Sequence, residues 1–98
     1  MSMRFKSLGS GSAGNATLIE VGDGLRRRWV LIDCGMPLRQ LIARLQQAGV
    51  EPQQLAAVFI THEHLDHTAC AQQLVLRHRI PVWMSWGTHV GMGAPDWQ

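Results

Sequence analysis

An apolar run, Ala57-Val58-Phe59-Ile60, breaks at Thr61 into His62-Glu63-His64-Leu65-Asp66-His67, so three of the five histidines fall within six residues. No other stretch limits the fold as strongly. Neutral imidazole and carboxylate are the ligand types that divalent zinc, iron and manganese accept, and ligands that converge on one ion need a rigid base. A short buried strand ending at Ile60 supplies that base and presents the ligands at its carboxyl end. In extended backbone, side chains two apart point the same way, so His62 and His64 can face one ion together. Past His64 the chain must turn, which swings Asp66 and His67 toward a second position close by. A polar loop rich in histidine by chance is the weaker reading, and the segment is taken as a metal site.

The flanking sequence supplies strands and helices in alternation. Residues 3–8 alternate as a first strand, although Leu8 breaks the period, and residues 9–14 form a turn rich in glycine and serine. Within that turn, Gly9-x-Gly11-x-x-Gly14 with Asp33 nineteen residues further on has the spacing of a dinucleotide-binding motif. Such a motif needs a helix to start at its last glycine, so that backbone amides face the pyrophosphate. Residues 16–21 are instead rich in β-branched side chains and run into Gly22-Asp23-Gly24, which predicts a strand entering a hairpin. A nucleotide site is therefore disfavoured. Arg26-Arg27-Arg28 reads as a solvated hairpin tip before it reads as a phosphate contact. Residues 28–33 are the return strand, and their apolar run predicts cover on both faces. Asp33, where this strand meets a loop, must be paired or hydrogen-bonded.

Pro37 suits the first turn of a helix. Leu38, Leu41, Ile42, Leu45 and Ala48 then recur at helical spacing, with Arg39, Gln40, Arg44, Gln46 and Gln47 on the other side, and Gly49 is placed to end the helix. Pro52 keeps helix out of the connection to the ligand strand. Residues 68–77 predict a second helix burying Ala71, Leu74 and Val75, with its amino end toward the metal region. His78, at the far end, reads as a surface residue. Residues 81–85 predict a short strand. Strands alternating with helices argue for an α/β layered fold. Residues 86–98 contain three glycines, a proline and no periodicity, and read as loop. His89, in that tail, is set apart from the ligand motif and reads as no ligand of it.

The pattern His62-x-His64-x-Asp66-His67 after an apolar strand resembles the metallo-β-lactamase-fold hydrolases. The resemblance implies the N-terminal half of a four-layer αβ/βα fold. It puts His62 and His64 on a first metal ion and Asp66 and His67 on a second, with Asp66 also counted as catalytic. Asp33, in Val30-Leu31-Ile32-Asp33-Cys34-Gly35, matches the family's earlier aspartate, which supports the ligand loop from behind the metals. Ser10-Gly11-Ser12-Ala13-Gly14-Asn15, together with Arg79-Ile80-Pro81-Val82, is similar to a branch of bacterial DNA-exonuclease-like proteins. That similarity makes Ser10, Ser12 and Asn15 available as polar substrate contacts and DNA the expected partner. The cofactors implied are two divalent ions, zinc first, with manganese or iron also suited to these ligands.

Metal-assisted hydrolysis is the implied reaction, since paired ions acidify a water and polarise the bond to be broken. The same chemistry serves phosphodiesters, thioesters, lactones and lactams, so the ligands do not name the substrate. A thioester or other small-molecule hydrolase is the alternative within the fold. A truncated, non-catalytic metal-binding module is the alternative outside it.

Ninety-eight residues suffice for one small domain, residues 1–98, with an ordinary apolar content of 46%. The net charge of +2 is too small to argue for nucleic acid by itself. Cys34 and Cys70 are not spaced like a disulfide framework or a cysteine-rich zinc site, and a reduced cytoplasmic setting is the simplest inference. Cys34 reads as a small buried side chain. No apolar stretch is long enough to span a bilayer, and residues 1–7 lack the apolar core of a signal peptide. The family completes its site with a histidine, a bridging aspartate and a last histidine from its second half, which nothing here matches unless His89 or Asp96 serves. The chain is therefore expected to be a fragment, its open sheet covered by the rest of the domain or by an oligomer partner.

Overall fold

The computed structural model describes residues 2–9, 14–22, 24–62 and 70–92. Ser10, Ser12, His64, Asp66, His67 and Asp96 lie outside the described residues. Strands β1 (Ser2–Gly9), β2 (Ala16–Gly22) and β3 (Arg28–Ile32) form an antiparallel meander. Two further strands, β4 (Leu55–Ile60) and β5 (Val82–Met84), add to it in parallel, giving a five-stranded sheet in the order β1-β2-β3-β4-β5. Helix α1 (Leu38–Gln47) connects β3 to β4, and α2 (Ala71–His78) connects β4 to β5. Parallel neighbours require such crossovers. A last helix, α3 (Trp86–Gly91), follows β5.

The meander forms for the reasons its sequence supplies. The β-branched residues of β2 pair with both neighbours, and Gly22 takes a φ of 121° at the hairpin. A side chain there would meet the backbone of Arg26, in the connection just ahead of β3, so only glycine lets the hairpin close. Leu8 breaks the alternation because the β1–β2 register shifts between Ser7 and Gly9, and this bulge turns Leu8 into the core. Arg4 and Lys6 line the exposed edge strand, a placement that discourages further strand addition. Arg27 reaches Glu20 at 3.2 Å across the hairpin, a partly exposed surface ion pair that adds little stability.

The core lies between one face of the sheet and the two crossover helices. Leu18, Leu31, Val58 and Ile60 meet Leu41 and Leu45 of α1 and Leu74 of α2, all buried. Arg44, placed by helical spacing on the outer side of α1, is instead half-buried. Its guanidinium donates to the carbonyl of Leu8 at 2.7 Å and ties the helix to β1. Its long stem lets the charge reach that carbonyl from the helix flank.

Cover on both faces of β3, expected from its apolar run, is met on one face alone. Leu31 is fully buried, while Val30 and Ile32 are half-buried on the face that also carries Phe5, Phe59 and Trp83, which are 67%, 42% and 60% exposed. The second correction concerns the tail. Residues 86–91 are helical where loop was expected, because Ser85 caps the turn: its Oγ accepts from the Thr88 amide at 3.1 Å. Capping by serine offsets the low helix propensity of Gly87. Two boundaries also move: β4 begins at Leu55, and α2 begins at Ala71 after an N-cap at Cys70.

Candidate metal centre

Because β3, β4 and β5 run parallel, their carboxyl ends share one edge of the sheet, the edge where α/β proteins place their ligands. Asp33 follows the last residue of β3, Thr61 and His62 follow the last residue of β4, and Ser85 follows β5. The register Ile32↔Phe59 brings the first two ends together.

Asp33 is 6% exposed and takes a φ of 64°, a left-handed conformation that aspartate tolerates better than most residues. That turn carries its backbone amide to the carbonyl of Phe59, at 2.7 Å, and its carboxylate to the end of β4. One carboxylate oxygen accepts from the Thr61 amide and the other from the Thr61 hydroxyl, both at 2.7 Å. Its burial is thereby compensated, as a buried charge requires. The Thr61 hydroxyl also lies 2.9 Å from Nδ1 of His62. A chain of contacts therefore runs from the end of β3, through Thr61, to the imidazole that the sequence singled out. Thr61 itself carries no local signal: its partner is 28 residues earlier, and only the parallel register joins them.

The loop after Asp33 is held on every side. The Gly35 amide donates to the carbonyl of Asn15 at 2.9 Å, and the Cys70 amide to the carbonyl of Cys34 at 3.0 Å. Gly14, with a φ of 121°, packs so tightly that a side chain would stand 3.0 Å from the backbone of Gly35 and Met36. Asn15 is thus placed beside this loop, half-buried, with its backbone engaged in it. No helix follows Gly14, and β2 starts at Ala16, which removes the geometry a dinucleotide would need. Cys34 and Cys70 are both fully buried, and the Cys70 thiol donates to the Cys34 carbonyl at 3.1 Å. The hydrogen bond with Cys70, burial and the charge of Asp33 together push the Cys34 thiol far above its ordinary range. It is a protonated packing residue.

His78 is half-buried in the last turn of α2. His89 lies in α3, its ring 5.4 Å from that of Trp86 and tilted by 35°. Among the described residues, no three His, Cys, Asp or Glu side chains converge to hold an ion, and three of the four expected ligands lie outside that set. The fourth suits a divalent ion. His62 is exposed at a strand end, and imidazole is a ligand type that divalent ions accept.

A mixed sheet with crossover helices on one face defines an α/β protein, with His62 just past the carboxyl end of one of its parallel strands. The model of the Metallo-beta-lactamase superfamily matches residues 9–98, and the chain belongs to that superfamily. Exodeoxyribonuclease WalJ of Streptococcus pneumoniae serotype 2 (strain D39 / NCTC 7466) is 33% identical over 64 residues, 65% of this chain and 22% of WalJ. Exodeoxyribonuclease YycJ of Bacillus anthracis is 29% identical over 83 residues, 85% of this chain and 30% of YycJ. The chain thus spans less than a third of the length of either relative, and it corresponds to the N-terminal part of the family's domain.

Two solved structures share the fold. The chemotaxis sensor ODP, described as a peroxy diiron species, superposes with a TM-score of 0.72 at 20% identity, over 97% of this chain and 38% of its own. A B3 metallo-beta-lactamase with an active-site glutamic acid gives 0.71 at 24% identity, over 89% of this chain and 32% of its own. At these identities the likeness speaks for the fold alone. No helix among the described residues is long and apolar enough to cross a membrane.

Proposed function

We propose that this chain contributes the first ligand cluster of a metal-dependent hydrolase that cleaves phosphodiester bonds in DNA. The observation that carries this reading is the Asp33–Thr61–His62 chain, which holds a histidine at the carboxyl edge of the parallel strands. His62 and His64 would hold one divalent ion, and Asp66 and His67 a second, zinc being the first candidate. Bound there, such ions supply Lewis acidity and a more acidic water. The protein's own part is to fix the ligands: Asp33 holds Thr61 by two hydrogen bonds, and Thr61 holds the His62 ring. DNA as substrate is supported by the names of the two bacterial relatives, with Ser10, Ser12 and Asn15 as polar contacts. The exposed apolar face bearing Phe5, Phe59 and Trp83 is where the remainder of the domain would pack.

Titrating zinc into the chain by calorimetry tests the ligand assignment. Wild type should bind, and His62→Ala and His64→Ala should each weaken binding at least tenfold, since each removes a ligand. Equal affinity in all three would sink the assignment. Release of nucleotides from end-labelled DNA by the full-length, metal-loaded protein tests the substrate. Thioester turnover without DNA cleavage would move the assignment to a small-molecule hydrolase.

A further inference from the structure

We infer that the outer groove between α1 and α2 binds the phosphate backbone of DNA, through Arg39 and Arg77. The groove has a volume of about 840 Å³ and is lined by Pro37, Leu38, Arg39 and Ile42 on one side and by Gln73 and Arg77 on the other. Both helices run back from the carboxyl edge of the parallel strands. Their starts are joined there: the amide of Cys70, the N-cap of α2, donates to the carbonyl of Cys34, in the loop ahead of α1, at 3.0 Å. The groove therefore begins at the sheet edge where β4 ends in Thr61 and His62.

The charge of this layer points to a polyanion. The two helices contain Arg39, Arg44 and Arg77 but neither an aspartate nor a glutamate, and Gln40, Gln46, Gln47, Gln72 and Gln73 fill exposed positions instead. Surface helices commonly offset a cation with an acid three or four residues away; Gln73, which precedes Arg77 at that spacing, is neutral. Arg44 is turned to the carbonyl of Leu8. Arg39 and Arg77 stay exposed in the groove, and among the described residues no carboxylate pairs with either. Arg39 also stands in the first turn of α1, where the helix dipole favours an acid. Its charge works against its own helix, which sets it apart from a cation kept for stability. A guanidinium is a planar fork of donors that matches phosphate, and the Gln73 amide adds a neutral donor between the two. An acidic protein segment would meet the same arginines. DNA is favoured because the groove starts at the proposed hydrolytic edge, and that choice rests on the functional reading above.

The test is fluorescence anisotropy of a fluorescein-labelled oligothymidylate with the chain in chelator, so that no metal takes part, repeated as salt is raised. Wild type should bind. The double variant Arg39→Gln, Arg77→Gln should bind about tenfold or more weakly, and its slope of log affinity against log salt should be shallower by about 1.4, as loss of two phosphate contacts on a single strand requires. Both arginines are exposed and glutamine is a good helix former, so the urea midpoint should not fall. Gln73→Glu, which keeps both arginines but adds a negative charge between them, should also weaken binding. Arg26→Gln with Arg28→Gln removes the same charge at the hairpin and should change affinity by no more than about twofold, since distant exposed charges are screened. No binding by wild type, or equal losses from the hairpin and groove variants, would overturn the proposal. So would polyglutamate binding that depends on Arg39 and Arg77 while oligothymidylate binding does not; the groove would then belong to an acidic protein. Cleavage by the full-length, metal-loaded protein separates this from the broader reading. An oligonucleotide held through Arg39 and Arg77 but never cut would refute DNA hydrolysis and leave the groove standing. Cutting by the double variant with unchanged kcat/KM would do the reverse.

Discussion

Replacing Asp33 by asparagine isolates what its charge contributes. Asparagine tolerates the left-handed backbone at this position, φ 64°, so the turn itself is spared. One amide oxygen still accepts from the Thr61 amide, but that bond loses its charge. On the other side an NH₂ group replaces the oxygen 2.7 Å from the Thr61 hydroxyl, which must then turn round and accept. Hydrogen bonds to charged groups contribute about 1.5–3 kcal/mol and neutral ones about 0.5–1.5, so converting two should cost roughly 2 kcal/mol. A domain of this size has only about 5–15 kcal/mol in total, which makes the loss easy to detect. With a urea slope of about 1–2 kcal/mol/M, the unfolding midpoint should fall by about 1–2 M at unchanged slope. Thr61→Val should fall as well, and the double variant by less than the sum, with a coupling of about 1 kcal/mol or more. A midpoint for Asp33→Asn within about 0.3 M of the parent would refute the idea that this carboxylate fastens β3 to β4. Strict additivity in the double variant would refute the direct link to Thr61.

Two other features give separate tests. Gly14→Ala combines a positive φ with a Cβ 3.0 Å from the backbone of Gly35, and should cost more than about 1 kcal/mol by urea unfolding. Gly87→Ala, in the open within α3, should be neutral or gain up to about 1 kcal/mol; equal effects at the two glycines would count against the close packing of the Gly14 turn. Cys34 and Cys70, fully buried, should react with a thiol reagent only after urea is added, and rapid labelling of the native chain would contradict their placement. The fold raises the Cys34 pKa and so favours its protonated form. That stabilisation is complete below the ordinary thiol range near about pH 8.5 and declines above it, so the urea midpoint should drop between pH 8 and 10.

Local pattern was enough for much of this molecule. The 3.6-residue stripe from Leu38 to Ala48 specified α1, and Gly49 with its positive φ ended it. The β-branched run after Gly14 specified a strand, which excluded a dinucleotide turn whose glycine spacing was otherwise correct. Apolar residues ahead of the histidine cluster placed His62 at a strand end. These features lie within a few residues of one another, so backbone geometry alone relates them. The short helix at residues 86–91 was missed because its stability comes from one serine cap and not from periodicity.

What the chain order could not supply was the pairing of β3 with β4 in the register Ile32↔Phe59. That register alone brings Asp33 to a residue 28 positions away, since a slip of one would turn every side chain to the other face. Cys70 likewise meets Cys34 across 36 residues, at the amino end of α2. The sequence by itself settled which residue types could hold an ion. The tertiary structure decided which hydroxyl stands behind His62, because a hydrogen bond of 2.9 Å depends on where two strands end in space.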